Sequence, residues 1–310
     1  MNAYRHGWYQ LAFERDLAQP VTPASFAGRA LMAVRATPAG PVRVFDAVCP
    51  HRGAHLGHGG RLAADDIVCP FHGYRVGLGG VSADGFCVRE YACLVYGGGL
   101  FVRLSDQSEP DFARGLQELG AGHTFVPGFE MTASATIELV IENGFDNAHF
   151  RSVHRLMSLP ALDVHAGPFG ELVADGRFEI PWLGSPDGTG GPPRRLHASY
   201  HGHAFSPGTF IAELDGDPPY RYRVMTTATP AEAEGTCTIR LTLMLPNGPD
   251  GSPPADRFTR QLLDYSRDGM EQDLAIWNRL DLGHVPRFTS TDQAAIAFAD
   301  FCRAFRDGAA

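Results

Sequence analysis

The chain contains 310 residues, of which 44% are hydrophobic and 20% are charged. This length allows a sizeable core and roughly two domains. The formal net charge of −9 disfavours a nucleic-acid partner, because a negative surface repels the phosphate backbone on average.

The N-terminal ten residues lack the apolar stretch of a signal peptide, and no window is apolar enough to predict a membrane span. The six cysteines do not show the spacing of a disulfide framework, and a chain of this length does not need one. The sequence therefore predicts a soluble, reduced, cytoplasmic protein.

The first hundred residues consist of short apolar runs separated by Gly and Pro, a pattern typical of a small antiparallel sandwich or barrel. The predicted strands are Trp8–Phe13, Ala30–Val34, Val42–Val48, Ile67–Val68, Ala92–Tyr96 and Leu100–Leu104. Asp111–Leu119 is predicted to form a short helix, and Gly120–Gly128 a linker. We therefore expect an all-β domain at residues 1–120 and a second domain at residues 121–310.

The second half has the pattern of one larger antiparallel sheet followed by helices, so the expected fold class is α+β. The predicted strands are Thr132–Val140, Leu172–Ile180, Leu196–Phe205, Thr209–Leu214, Tyr220–Thr229 and Thr236–Leu245. Helical spacing is found at Ile141–His149, Asp256–Leu280 and Gln293–Arg306. Gly184–Pro193 and Pro246–Pro254 are predicted to be loops.

Two segments of the first domain carry metal-binding side chains. The first is C-x-H at Cys49 and His51, and the second, after seventeen residues, is C-x-x-H at Cys69 and His72. Two thiolates and two imidazoles on matched loops fit a [2Fe–2S] cluster in which the cysteines bind one iron and the histidines bind the other. The alternative is a structural zinc site of the Cys₂His₂ type, which the C-x-H spacing disfavours.

A second group of candidate ligands lies between residues 142 and 154. Glu142, Asp146 and His149 are spaced i, i+4 and i+7 and are predicted to share one helix face, with His154 just beyond it. Two imidazoles and one carboxylate with open positions are the ligand set of a ferrous iron that binds O₂ beside a substrate. The Asp146 carboxylate is expected to accept the ring N–H of His149. Glu142 is expected to have a structural role.

The third ligand is expected from the C-terminal helix. Asp273 is the best candidate, Glu271 the rival and Asp268 a poorer one. The alternative is that His149 and His154 are helix histidines with satisfied hydrogen bonds and that Asp273 is an ordinary solvated carboxylate.

CPH…CPFHGY followed by E-x-x-x-D-x-x-H-x-x-x-x-H resembles the oxygenase component of the Rieske non-heme iron oxygenases, over essentially the whole chain. The resemblance implies a Rieske [2Fe–2S] domain followed by a helix-grip catalytic domain. It implies that His149, His154 and Asp273 bind a mononuclear iron. It also implies that Asp146 bridges to His72 of a neighbouring subunit in a head-to-tail homo-oligomer, usually a trimer.

The glycine runs Gly77–Gly80 and Gly97–Gly99 do not lie in βαβ units, so no flavin or nicotinamide site is expected. Electrons are therefore expected from NAD(P)H through a separate reductase, with or without a ferredoxin, and O₂ is the expected co-substrate. The resemblance is closest to the single-subunit ketosteroid hydroxylase and demethylase branches, which implies hydroxylation or oxidative dealkylation of a hydrophobic small molecule.

Three alternatives stay open at this point: a cis-dihydroxylating ring dioxygenase, a Rieske ferredoxin-type electron carrier, and an oxygenase fold that has lost catalysis. The candidate walls of the substrate pocket are mostly apolar. They are Phe145, Phe150, Leu156, Phe205, Phe210, Met225, Met244 and Trp277.

Overall fold

The computed structural model describes residues 6–105, 110–156, 161–181, 195–216 and 221–306. The predicted loop Gly184–Pro193 lies outside these residues. Within them, none of the helices combines the length and hydrophobicity needed to cross a bilayer.

Short strands and one 3₁₀ turn (Glu14–Asp16) make up the described N-terminal part of the chain. The strands are β1 (Trp8–Phe13), β2 (Val21–Phe26), β3 (Arg29–Val34), β4 (Arg43–Asp46), β5 (Arg61–Ala63), β6 (Asp66–Val68), β7 (Arg75–Gly77), β8 (Glu90–Tyr91), β9 (Cys93–Tyr96) and β10 (Gly99–Arg103). They form antiparallel sheets of order β1-β10-β9, β2-β3-β4-β8 and β5-β6-β7. The all-β N-terminal domain is thus confirmed.

The second part contains a seven-stranded antiparallel sheet of order β11-β17-β16-β15-β14-β13-β12. Its strands are β11 (His123–Ala133), β12 (Asp163–Ala166), β13 (Leu172–Pro181), β14 (Arg195–Ser206), β15 (Thr209–Gly216), β16 (Arg221–Pro230) and β17 (Cys237–Pro246). The helices are α1 (Phe112–Gly120), α2 (Ile137–Glu142), α3 (Asn147–Ser152), α4 (Asp256–Trp277) and α5 (Gln293–Arg303). This arrangement confirms the α+β class.

Two predicted segments differ from the structure next to β11. The predicted linker Gly120–Gly128 is wrong, because β11 begins at His123 and pairs with β17, with a bulge between Pro127 and Glu130. The predicted strand Thr132–Val140 is also wrong beyond Ala133. Thr136 caps α2 there, its hydroxyl accepting the N–H of Leu139 at 3.3 Å.

The single helix predicted at Ile141–His149 is wrong as well. α2 ends at Glu142, and α3 begins at Asn147 with Asp146 as its N-cap. The Asp146 carboxylate accepts the N–H groups of Ala148 at 2.9 Å and of His149 at 3.3 Å. Glu142, Asp146 and His149 therefore do not share one helix face, because Asp146 satisfies the first N–H groups of a new helix.

The large sheet buries apolar side chains on both faces. On one face, Phe205, Met225 and Met244 pack with Phe101 and Phe112 of the preceding elements. On the other face, Phe210, Leu214, Val224 and Leu241 turn toward α2, α3 and α4 and line a cavity. Neighbouring positions on a strand point to opposite faces. The sheet therefore separates the apolar core that it forms with Phe101 and Phe112 from the cavity on its other face.

Candidate active site

The loops that carry the cysteine–histidine pairs, residues 49–54 and 69–74, have the same backbone hydrogen bonds. In each loop the cysteine N–H donates to the carbonyl five residues later, at 2.8 Å in both, and a glycine N–H donates back to the cysteine carbonyl. These glycines, Gly53 and Gly73, have φ of +76° and +75°, a region that residues with a Cβ rarely adopt. The two loops therefore hold their side chains on equivalent backbone geometries.

The four candidate cluster ligands lie in these loops, with each cysteine at the start and each histidine in the middle. Cys49 and Cys69 are buried free thiols, and burial, with the neighbouring Cys69, raises the pKa of the Cys49 thiol. The rings of His51 and His72 are 4.8 Å apart between centroids, and His72 is exposed. His51 Nδ1 is buried without a hydrogen-bond partner. Because buried nitrogens are normally paired, these donors fit a [2Fe–2S] cluster with two sulfur and two nitrogen ligands.

A second set of donors converges in the catalytic domain. His149, His154 and Asp273 each bring one potential ligand atom to within 4.8 Å of the others, and they are the one such group among the described residues. The Nε2 atom of His154 lies 3.4 Å from Asp273 Oδ1. Asp273 lies on α4 and is 8% exposed, whereas Glu271 and Asp268 are exposed on the same helix and do not join the group.

The two imidazoles are oriented by different partners. His149 Nδ1 donates to the backbone carbonyl of Asp146 at 2.6 Å, and His154 Nδ1 lies 3.3 Å from Gln272 Oε1. A ring whose Nδ1–H is engaged in this way presents Nε2 as the ligand atom, as in many metal sites. The prediction that the Asp146 carboxylate accepts this N–H is wrong. Its nearer oxygen is 3.9 Å from His149 Nδ1, because the carboxylate caps α3 instead.

In both histidines burial lowers the pKa and Asp273 raises it, and the balance differs between the two. Burial lowers the pKa of His149 despite the attraction of Asp273 and so favours the neutral imidazole. Burial also opposes the charged form of His154, but the hydrogen bond and charge of Asp273 outweigh it and raise the pKa of His154. These two nitrogens and one carboxylate, with room beside them, fit a ferrous iron that keeps open positions.

A cavity of about 260 Å³ opens beside His149, His154 and Asp273. Its walls are mostly apolar or aromatic, and the described lining residues include no Lys or Arg. The polar groups on its surface include Asn143, Thr226 and Ser266. The cavity can therefore hold an uncharged, largely apolar molecule next to the donor group.

Four of the eight predicted wall residues line this cavity: Phe150, Leu156, Phe210 and Trp277. The other four are wrong. Phe205, Met225 and Met244 lie on the opposite face of the sheet, and Phe145 is buried against Phe298, with ring centroids 4.9 Å apart. Residue type alone identified apolar positions, but strand register decided which face each one occupies.

Glu142 is partly buried on α2 and does not line the cavity. Burial raises its pKa to about 7, with further contributions from the negative charges of Asp146, Glu138 and Asp292. The expected structural role of Glu142 stays a prediction.

Two polar contacts at the site were not predicted. The first is that of Gln272 with His154. Because Gln272 directly precedes the candidate ligand Asp273, its position in the sequence could have indicated a place near the site. The hydroxyl of Tyr200 donates to the carbonyl of Gly144 at 2.7 Å. The alternation of β14 places this side chain on the cavity face, but its partner is 56 residues away, and no local pattern indicates it.

Two family models match the chain. Residues 7–90 match the Rieske [2Fe-2S] domain, and residues 106–298 match the 3-ketosteroid 9alpha-hydroxylase C-terminal domain. A comparison with curated proteins found no match.

Several solved structures share the fold. Dicamba monooxygenase bound to dicamba is 18% identical, with 98% of each chain covered and a TM-score of 0.74. NdmB of Pseudomonas putida CBB5 is 17% identical, with 96% of this chain and 90% of that chain covered and a TM-score of 0.70. NdmA of the same organism, solved with caffeine, is 16% identical over the same shares, with a TM-score of 0.71.

Proposed function

The chain belongs to the Rieske non-heme iron monooxygenases, and we propose on that basis that it is the terminal oxygenase of a multicomponent system. Electrons would come from NAD(P)H through a separate reductase, with or without a ferredoxin. O₂ would be the co-substrate, and the reaction would be hydroxylation or oxidative dealkylation of a hydrophobic small molecule. The observation that carries the proposal is a triad of two imidazoles and a carboxylate facing an apolar cavity.

Cys49, Cys69, His51 and His72 would hold the cluster, and His149, His154 and Asp273 would hold the mononuclear iron. When bound, the first group supplies single electrons and the second binds O₂ beside the substrate. Asp146 O and Gln272 Oε1 hold the Nδ1 protons of the two imidazoles and so direct the Nε2 atoms toward Asp273. The apolar walls keep water away from the substrate and orient it against these groups.

Electron transfer is proposed to cross between subunits of a homotrimer, from His72 of one copy to Asp146 of the next. His72 is exposed, and the Asp146 side chain is 34% exposed although it caps α3. Both side chains are therefore accessible to a neighbouring copy.

The absence of Lys and Arg among the described lining residues supports an uncharged substrate. A buried carboxylate in the substrate would need a paired donor or cation. Caffeine, with which the NdmA structure was solved, is an uncharged N-methyl compound. We therefore propose neutral polycyclic compounds and neutral methyl ethers or N-methyl compounds as the first substrates to test.

Asp273→Ala, with Glu271→Ala as its matched control on the same helix, tests the assignment. The wild type is expected to hold about three irons per chain, two in the cluster and one in the mononuclear site. Asp273→Ala should keep the cluster's colour, lose the third iron and form no product with a surrogate reductase. Glu271→Ala should keep all three irons.

Labelling with ¹⁸O₂ separates the reaction classes. Hydroxylation places one labelled atom in the product, oxidative dealkylation places that atom in the released aldehyde, and cis-dihydroxylation places two labelled atoms in the product. Retention of the third iron in Asp273→Ala, or zinc in place of iron in the wild type, would refute the proposed site.

A further inference from the structure

The break between α2 and α3 leaves a buried backbone carbonyl that needs a donor from elsewhere. In an unbroken helix the carbonyl of Gly144 would accept the N–H of Ala148, but that N–H donates to Asp146 Oδ1 instead. Gly144 is buried, and a carbonyl left unpaired in such a place destabilises the fold, because it has lost its hydrogen bond to water. The hydroxyl of Tyr200, a side chain only 3% exposed, donates to this oxygen at 2.7 Å.

Two glycines make room for this contact. A Cβ on Gly202 would lie 2.8 Å from the Tyr200 hydroxyl oxygen, and a Cβ on Gly144 would lie 2.3 Å from the ring of Phe210. Both distances are far below normal carbon contacts. The sheet and the helix break therefore approach each other closely only because neither position carries a side chain.

The residues held by this contact, which we call the 143–146 turn, serve two parts of the site. Asn143 and Gly144 line the cavity. Asp146 accepts the Nδ1 proton of His149 through its backbone carbonyl at 2.6 Å. A shift of the turn would thus rotate the His149 ring and alter the cavity wall at the same time.

We infer that Tyr200 is a positioning residue of the mononuclear site, whose hydroxyl holds the 143–146 turn and, through Asp146, the angle of the His149 ring. The inference rests on the proposed ligand set. It adds to that set a supporting residue from β14 of the seven-stranded sheet. The aromatic contacts of Tyr200 with Phe178 and Phe150, at centroid distances of 5.0 and 5.9 Å, remain in a phenylalanine variant. Replacement by Phe therefore removes the hydrogen bond and leaves the packing.

Tyr200→Phe tests the inference, with Tyr265→Phe as its control. Tyr265 also lines the cavity, but its hydroxyl makes no hydrogen bond to the 143–146 turn. Protein that carries the cluster but is depleted of mononuclear iron would be titrated anaerobically with Fe(II), and the nitric oxide adduct would be examined by EPR. We expect Tyr200→Phe to weaken Fe(II) binding about threefold to tenfold, below the usual effect of a residue that contacts a metal ligand directly. The adduct's EPR anisotropy should change, and the cluster's own EPR signal should not.

Tyr265→Phe should match the wild type in both readings. Gly202→Ala, which crowds the same hydroxyl and the ring of Phe210, should change both in the same direction as Tyr200→Phe and provides a second test. Unchanged affinity and EPR signal in Tyr200→Phe would overturn the inference, as would a parallel loss of the cluster signal, which would indicate general destabilisation. If the wild type itself binds no Fe(II) in this titration, the proposed iron site fails instead.

Discussion

At the scale of single residues, the two candidate imidazole ligands differ in how firmly they are held. The partner of His149 is a backbone carbonyl, which no side-chain substitution can delete. The partner of His154 is the side chain of Gln272, on the exposed side of α4. The orientation of His154 is therefore open to mutation, whereas that of His149 depends on the backbone around Asp146.

Gln272→Leu is expected to weaken Fe(II) binding about tenfold, because an outer partner that fixes a ligand's ring contributes to metal affinity on that scale. Gln272→Glu keeps an acceptor at the same place and should bind Fe(II) close to the wild-type affinity. The measurement is anaerobic Fe(II) titration, and Glu271→Leu, one position earlier and also exposed, is the control. Equal affinity in Gln272→Leu and the wild type would show that the contact does not orient His154.

The raised pKa of Glu142 predicts that the stability of the protein depends on pH. Its folded-state pKa of about 7 lies above that of a free carboxyl, so ionisation destabilises the folded chain. The free energy of unfolding should fall as pH rises from about 4.5 to about 7 and level off above that range. Glu142→Gln removes this contribution and should stabilise the protein at pH 8 by about 1–3 kcal/mol, less than the full shift because the carboxyl is only partly buried.

Urea unfolding at pH 5 and pH 8 checks this expectation. Glu118→Gln, an exposed change on α1, should leave the difference between the two pH values as it is in the wild type. If Glu142→Gln is no more stable at pH 8, burial and repulsion at this carboxyl are weaker than the structure indicates.

At the scale of elements, the interruption between α2 and α3 gives Asp146 two separable properties. Its carboxylate caps α3, and the same side chain is the proposed bridge to a neighbouring subunit. Asparagine caps helices as well as aspartate does but carries no charge. A single substitution can therefore distinguish the two properties.

Asp146→Asn is expected to keep the fold and both metal sites but to slow electron transfer to the mononuclear iron. Asp146→Ala should in addition destabilise the protein by about 1 kcal/mol through loss of the cap. The first effect is measured by stopped-flow reoxidation of the reduced cluster in the presence of O₂ and substrate, the second by thermal unfolding. Wild-type reoxidation in Asp146→Asn would contradict the bridge.

Sequence reasoning succeeded where one periodicity dominated and failed where two overlapped. The central strands of the large sheet were predicted because each is a run of eight to ten residues rich in apolar, aromatic and β-branched side chains. Residues 132–140 have the alternation of a strand, but Thr136 caps a helix there. Pro127 and Gly128 resemble a linker, yet they sit at a bulge within β11.

The candidate ligands were predictable for a different reason, since their spacing matched a family pattern and did not depend on element boundaries. The contacts of Tyr200 and Gln272 could not be found in this way, because each joins residues more than fifty positions apart. Such pairs become visible only once strand register and helix position are known. The structure brings His149, His154 and Asp273 together, but their roles stay predictions until metal is measured.

At the scale of the whole molecule, large apolar side chains are exposed in several places of the described chain. Phe71, next to His72 in the second cluster loop, is 60% exposed. A stretch from α4 toward α5 exposes Leu280, Val285 and Phe288. Homotrimer formation, a cytoplasmic location and the domain boundary at residue 120 stay predictions.

Mixed oligomers test the proposed path between subunits. Cys69→Ser should lose the cluster and His149→Ala the mononuclear iron, so each variant alone should form no product. Co-expressed at equal levels, the two should assemble some junctions in which an intact cluster faces an intact iron site of the next copy. Random assembly in a ring predicts about a quarter of the wild-type activity per subunit.

The measurement is product formation by co-purified mixed oligomers carrying two different affinity tags. Proteins purified separately and mixed without exchange of subunits are the control and should stay inactive. Inactive mixed oligomers would show that electrons do not pass from one copy to the next.

The two-sided large sheet has a consequence for how this enzyme could be adapted to new substrates. Ala212, Val224 and Thr226 face the cavity, whereas their neighbours Ile211 and Met225 anchor the sheet to the elements behind it. Mutant libraries confined to the even-numbered positions of β15 and β16 would change the shape of the cavity and leave the packing of the odd-numbered positions intact. Selection could thus explore new specificities along these strands without destabilising the sheet.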